Sequence, residues 1–336
     1  MHLSFDEFKN IVAQRPPDTI DFQSRTDLII DTQPPEPQAG PGPKYELKGG
    51  KLATTTLVAA TDEVARQRRL HDRVRESATN AQSAVSRASN RYPQIAGAIS
   101  EYATVLKPDT DDLNITDVWV SGNALSAFVE TYRRQNVERT FSEPLEPDVE
   151  AALTALARLH GAFILGFDEG VELIRRADEF AMTREQIELV SAPGNELILS
   201  LSTSNELVDV ETQRLHRPVA DYLIEYGWHT SRMAFTAYRI VENATIAMLK
   251  FTLGNDWKSG GVLTAYGTLL AVAPEFGFAA AAKPFILANA QNFLVFFSHS
   301  PEMRQYLEWA IELLREDAGT FELAAKLHIP PDRRGG

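Results

Sequence analysis

The chain has 336 residues, 44% of them hydrophobic and 24% charged, with a formal net charge of -13 and no cysteine. That size and apolar content can support a substantial core and suggest two or three domains. The lack of cysteine excludes disulfides, thiolate chemistry and cysteine-ligated zinc or iron–sulfur sites. The acidic balance argues against affinity built on neutralising phosphates, so no sequence-specific nucleic-acid partner is expected.

The N-terminal residues carry neither a basic leader nor an apolar run, so no secretory signal is expected and a cytoplasmic location follows as the reading. Ser4 and Glu7 have capping-box spacing and predict a short helix to about Gln14, with Phe5, Phe8 and Val12 on one side. Leu28, Ile29 and Ile30 form a brief apolar patch, suited to a strand or a docking peptide. Five prolines and four glycines between 34 and 50 read as an extended linker. Residues 1–50 are thus expected to be an arm and linker that dock on this chain or on a neighbour.

Residues 51–190 read as a long-helix bundle. Leu57, Ala60, Val64, Gln67, His71, Val74, Ala78, Ala81, Val85, Ala88, Tyr92, Ile95, Ile99, Tyr102 and Leu106 follow one another in unbroken alternating steps of three and four. Such a heptad stripe predicts a coiled-coil-like helix facing another helix along its length, roughly 80 Å long if continuous from 51 to 106. Alanine makes the centre of the stripe thin. Gln67 and His71 form a polar layer of the kind that sets register or partner choice. Pro93 lacks an amide hydrogen, and because the apolar phase continues beyond it, a kink is expected there.

The same segment is basic in an acidic chain, with eight Lys/Arg against five Asp/Glu over 51–106. Arg66, Arg68, Arg69, Arg73 and Arg75 cluster around His71. They read first as a solvated helix face or one meeting the acidic remainder, and second as a contact for phosphate or an anionic membrane surface.

Further helices are predicted over 116–136 and 148–190. Pro193, Gly194 and Asn195 predict a break, followed by a short strand or packed loop at 197–201. A region of helix is expected over 206–253, capped at Ser204 or Asn205. Residues 191–330 as a whole read as a C-terminal helical region. Within it, 262–297 has Glu275 and Lys283 as its only charges and holds six of the 17 phenylalanines. Residues 262–273 would make about 18 Å of helix, short of a hydrocarbon core near 30 Å, and Lys283 sits inside the longer window. Buried helices are therefore the first reading of this segment, and a conditional membrane-active surface the second. Ser300 and Pro301 predict a capped helix to about 317, with a shorter one over 320–328.

Motifs for chemistry are scarce. The chain has no Walker-type phosphate loop, dinucleotide fingerprint, His-Glu-x-x-His metal motif or nucleophile elbow, so no cofactor, metal or catalytic residue is assigned from local sequence. Glu225 and His229 share a face if their region is helical, and with His216 or Arg232 they would make an acid–base or metal site. Asp168, Glu169 and Glu172 before Arg175 and Arg176 read as an ion-pair surface.

These observations predict an all-α, elongated multi-helix bundle with long coiled-coil-like helices and a more apolar C-terminal region. The leading functional expectation is a non-enzymatic scaffold or interaction protein that assembles with itself or a protein partner through the 57–106 stripe. The alternatives are a membrane-active or membrane-peripheral protein using 262–297, and an enzyme with a non-local active site near His216, Glu225 and His229. A small-molecule ligand is left open.

Overall fold

The computed structural model describes residues 37–55, 64–87, 91–107, 109, 112–138, 145–253 and 274–327. Leu57, Ala88, the helix expected near the N-terminus, the patch at 28–30 and the first part of the apolar segment lie outside them. The described residues form a hairpin, β1 (Tyr45–Lys48) and β2 (Lys51–Thr54), and eleven helices. These are α1 (Val64–Ser86), α2 (Pro93–Val105), α3 (Ile115–Val137), α4 (Pro147–Ile164), α5 (Asp168–Glu179), α6 (Arg184–Thr203), α7 (Val210–Tyr226), α8 (Ser231–Leu253), α9 (Pro274–Ala288), α10 (Ala290–Phe296) and α11 (Pro301–Leu327). One apolar core runs through them as an all-α bundle.

The centre is α8, the most deeply buried helix, which touches α3, α5, α6, α7, α9 and both strands. Its run of Ala, Val, Ile and Met leaves few polar positions to face water, as expected of a helix walled in on most sides. Around it, α1 packs on α4 and α2, α3 on α2 and α7, and α10 on α6 and α11. The apolar stripe of α1 is thus filled within the chain. Val74, Ala78, Ala81 and Val85 are buried, and nothing in the described packing points to a heptad register.

Several sequence expectations give way to packing. The helix expected over 51–106 is instead strand at 51–54, helix over Val64–Ser86 and a new helix whose first turn holds Pro93. Proline is tolerated there because its missing amide hydrogen falls among those no helical carbonyl would accept. The helix expected over 148–190 is three: α4 and α5 meet at a bend of 112°, and α6 restarts at a capping box made by Thr183 and Gln186. The bend leaves room for Gln67, whose amide occupies the space a side chain at Gly166 would need.

Pro193 and Gly194 break nothing; both lie inside α6, so the strand expected at 197–201 is helix. Gly194 is wedged against Trp228 and Phe296, and Asn195 accepts a 2.9 Å hydrogen bond from the Trp228 indole. Those contacts outweigh the lost helical bond. The region 206–253 divides into α7 and α8 at Gly227, whose φ of 76° lies in the left-handed region that favours glycine. The described part of the apolar segment is core: Phe278, Ala282, Ile286, Phe293, Phe296 and Phe297 are buried. No single described helix is long and apolar enough to cross a membrane.

Residues 37–50 are not a free linker. Gly42 and Pro43 are buried, and the hairpin pairs Tyr45 with Thr54, Glu46 with Ala53, Leu47 with Leu52 and Lys48 with Lys51. Gly49 and Gly50 turn it with φ of 58° and 78°, the positive angles a two-residue hairpin turn demands. A two-stranded hairpin is marginal alone; here it lies on α7 and α8.

Candidate functional site

The hairpin covers a cluster of polar groups from α3, α7 and α8. Tyr45 and Thr54 are cross-strand partners and so share one face of the hairpin. The Tyr45 hydroxyl lies 2.8 Å from Nε2 of His216 on α7. Burial drives the His216 pKa down to about 3 and, with the Asp117 charge adding to it, the Tyr45 pKa well up. Both groups are therefore neutral at pH 7. A neutral phenol and a neutral imidazole share this bond, and the ring tautomer sets which of them donates. The ring's Nδ1 is buried with no partner among the described residues.

Beside this pair, the Thr54 hydroxyl donates to Oδ2 of Asp117 at 3.1 Å. The Thr54 amide donates to the Thr212 hydroxyl at 3.0 Å, and Thr212 is tied to Asp209, the N-cap of α7. Asn114 accepts the amides of Thr116 and Asp117 at the start of α3 and donates to the Thr55 carbonyl at 2.8 Å. Thr116 donates to Glu169 at 2.7 Å.

Asp117 stands in the first turn of α3, where the helix dipole favours the ionised form by about 0.3–1 kcal/mol. Burial overrides that. The carboxyl pKa is raised to about 7, chiefly by desolvation and further by the nearby Asp209 and Glu169, against the bond from Thr54 and the charge of Lys107. Its second oxygen, Oδ1, is buried without a partner among the described residues. The cluster therefore joins a carboxyl that exchanges its proton near neutral pH to an imidazole that keeps its own.

The trio expected from sequence is not assembled. His216 is buried and bound to Tyr45, whereas Glu225 and His229 are exposed. Gly227 ends α7 between those two, so they are not one helical turn apart. Glu225 instead accepts from Gln94, and Arg232 pairs with Asp178 at 2.9 Å. Glu172 makes ion pairs with Arg175 and Arg176, while Glu169 turns to Thr116 and the hairpin cluster.

On α1, Arg66, Arg68, Arg69, Arg73 and Arg75 are exposed, and Gln67 and His71 face inward. The His71 ring stacks on Phe163 at 5.7 Å. The thin alanine centre leaves a groove of about 320 Å³ floored by Ala78, Ala103 and Leu106. Val64 belongs to α1, but its side chain is outside the description. Among the described residues no three His, Asp or Glu side chains are placed to hold a metal ion.

Tyr45, Thr54 and Asp117 were not singled out by the sequence. One signal was available for the first two: a Gly-Gly pair between short runs is a hairpin signature, and it aligns Tyr45 with Thr54. Nothing local distinguishes Asp117 from any acid in a first helical turn. Comparison with known proteins finds no family model, no curated protein and no solved structure that matches the chain.

Proposed function

We propose that this chain is an enzyme of general acid–base chemistry acting on a small polar substrate, with Asp117 as the proton-exchanging group. The observation that carries this reading is a buried carboxyl poised to ionise near pH 7, with a bare Oδ1, beside a neutral Tyr45–His216 pair. A general base works best when its pKa lies near the operating pH, and such groups contribute roughly 10²–10⁴-fold to rate. With Tyr45 donating to Nε2, His216 stays neutral through turnover and offers its Nδ1–H to developing negative charge, the role of an electrophile and not of a base. Tyr45 fixes the tautomer and orientation of that ring, and Thr54 holds the other carboxylate oxygen. The residues are drawn from the hairpin, α3 and α7, so this reading keeps a non-local site at His216 but not with Glu225 and His229.

Two measurements test it. Carbon-detected NMR of the aspartate carboxyls should give Asp117 a midpoint near 7; a midpoint below 5 removes the basis of the reading. Proton exchange from solvent deuterium into a panel of small carbonyl compounds should fall at least 100-fold in Asp117→Asn, and a variant as active as the parent would rule the role out.

A second reading concerns docking. The described stripe of α1 is occupied by α4 and α2, so assembly would use its outer face, where five exposed arginines suit an acidic protein or anionic membrane surface. Flotation with phosphatidylserine vesicles at low and high salt tests the membrane case: no salt-sensitive binding would end it.

A further inference from the structure

We propose that residues 40–55 form a strap that lifts off the helical bundle as a unit and gates access to Asp117 and His216, an inference that rests on the acid–base reading of that site.

Consider first how the strap is held. Much of its grip is on main-chain groups. Asn243 of α8 donates to the carbonyls of Gly40 and Pro43, and Asn114 donates to that of Thr55. Thr212 accepts the Thr54 amide. The Leu52 amide donates to the Leu207 carbonyl, and the Asp209 amide donates to the Leu52 carbonyl, forming a parallel bridge between Leu52 and Val208. On opening, water replaces these bonds, so each costs only a part of its intrinsic strength. The apolar hold adds to this: Gly42, Pro43, Leu52 and Ala53 are buried, and Tyr45 and Leu47 pack against the core.

Next is what the strap covers. Eleven buried side-chain polar atoms lack a protein partner among the described residues, and four of them, Asp117 Oδ1, His216 Nδ1, Arg239 Nε and Asn243 Oδ1, belong to side chains that the strap touches. Each loses hydration while the strap is shut and regains it on opening, a penalty comparable to the gain from burying one leucine. The closed state thus carries its own driving force for opening at the place where a substrate has to enter. Behind the strap, α8 is buried on most sides.

The strap also has the build of a single body. Its strands pair along their whole length and its end is closed by a bond from the Thr55 amide to the Lys44 carbonyl. Gly40 and Gly42 lie so close to the Arg239 side chain that a methyl group at either would collide with it. At this end of the strap, seating is a fit of bare backbone against the Arg239 side chain.

Native-state hydrogen exchange on the full chain tests the opening directly. The amides of Leu52, Thr54 and Thr55 should exchange about 100-fold faster than those of Val241, Ala244 and Thr245 in α8; equal rates would overturn the gate. The chain has no cysteine, so Leu52→Cys with Val208→Cys gives one unambiguous disulfide across the bridge. Locked, the protein should show slowed strap exchange, and carbodiimide-driven amine labelling of Asp117, read by mass spectrometry, should drop at least tenfold and return on reduction. Labelling at the same rate in the locked and reduced forms would also overturn it. These outcomes are separable from the fate of the catalytic reading: a low Asp117 midpoint sinks that reading while leaving fast strap exchange intact.

Discussion

Among the described residues, two tyrosine hydroxyls are hydrogen-bonded to a buried histidine, and the pairs differ in what surrounds them. Tyr102 of α2 lies 2.9 Å from Nδ1 of His160 on α4, ring edge to ring face, with centroids 5.3 Å apart. Tyr45 lies 2.8 Å from Nε2 of His216, also edge to face, at 5.8 Å. Burial lowers both histidines, to about 4 and about 3 respectively. The first pair is enclosed by helices, and α3 meets its imidazole at a glycine, Gly122. The second lies under a hairpin, beside a carboxyl with a bare oxygen. The same hydrogen bond serves packing in one place and sits among unsatisfied groups in the other. A Tyr–His contact alone is thus no sign of chemistry; its neighbours decide.

The largest expected effect breaks the helical pair. A methyl group at Gly122 would lie 2.1 Å from the His160 ring, and that ring is buried with nowhere to swing. Gly122→Ala should cost about 3 kcal/mol or more in urea unfolding, and a loss below about 1 kcal/mol would mean the pair is loosely packed.

Next comes Asp117→Asn, which should stabilise the fold at pH 8. A carboxyl whose folded pKa near 7 exceeds its unfolded value near 3.8 favours folding fully below pH 4 and loses that contribution as pH rises to 7. Above pH 7 the folded chain buries a carboxylate. Removing it should gain about 2 kcal/mol at pH 8, discounted for partial solvent reach, and nearly nothing at pH 4. The histidines slope the other way. His160, depressed to about 4, stabilises above pH 6.5 and loses that contribution as pH falls to 4. Asp117→Asn should therefore steepen the acid limb that the parent protein partly cancels. A gain in stability together with a loss of activity is the signature of a functional site; equal pH profiles for the two proteins would count against both.

The extent to which this was readable from sequence follows from the range of the forces involved. Helix α3 and the start of α11 were legible because apolar spacing and caps act within a few residues, and Ile115–Val137 lies within a residue of expectation at each end. The stripe from Leu57 to Leu106 has the spacing of a coiled coil and of a core helix alike, and which helix covers it is not encoded in that spacing. Pro193 and Gly194 carry strong local breaking signals that yield to Trp228 and Phe296. His216 was noticed, but for neighbours on its own helix; its partner Tyr45 is 171 positions away. Asp117 was invisible because its partner Thr54 stands 63 positions earlier.

The smallest expected effects compare the two tyrosines directly. Tyr102→Phe strands a buried imidazole nitrogen that has no route to water while the helices stay packed. It should cost about 1–2 kcal/mol in global unfolding. Tyr45→Phe removes the same bond from His216, yet the strap above it opens on its own, so water reaches Nε2 without global unfolding. The loss should then be under about 1 kcal/mol globally and should show instead as faster exchange of the Leu52 and Thr54 amides. Equal global losses for the two variants, with strap exchange unchanged in Tyr45→Phe, would make the hairpin pair as structural as the helical one. The difference between the histidines would then lie only in which helices hold them.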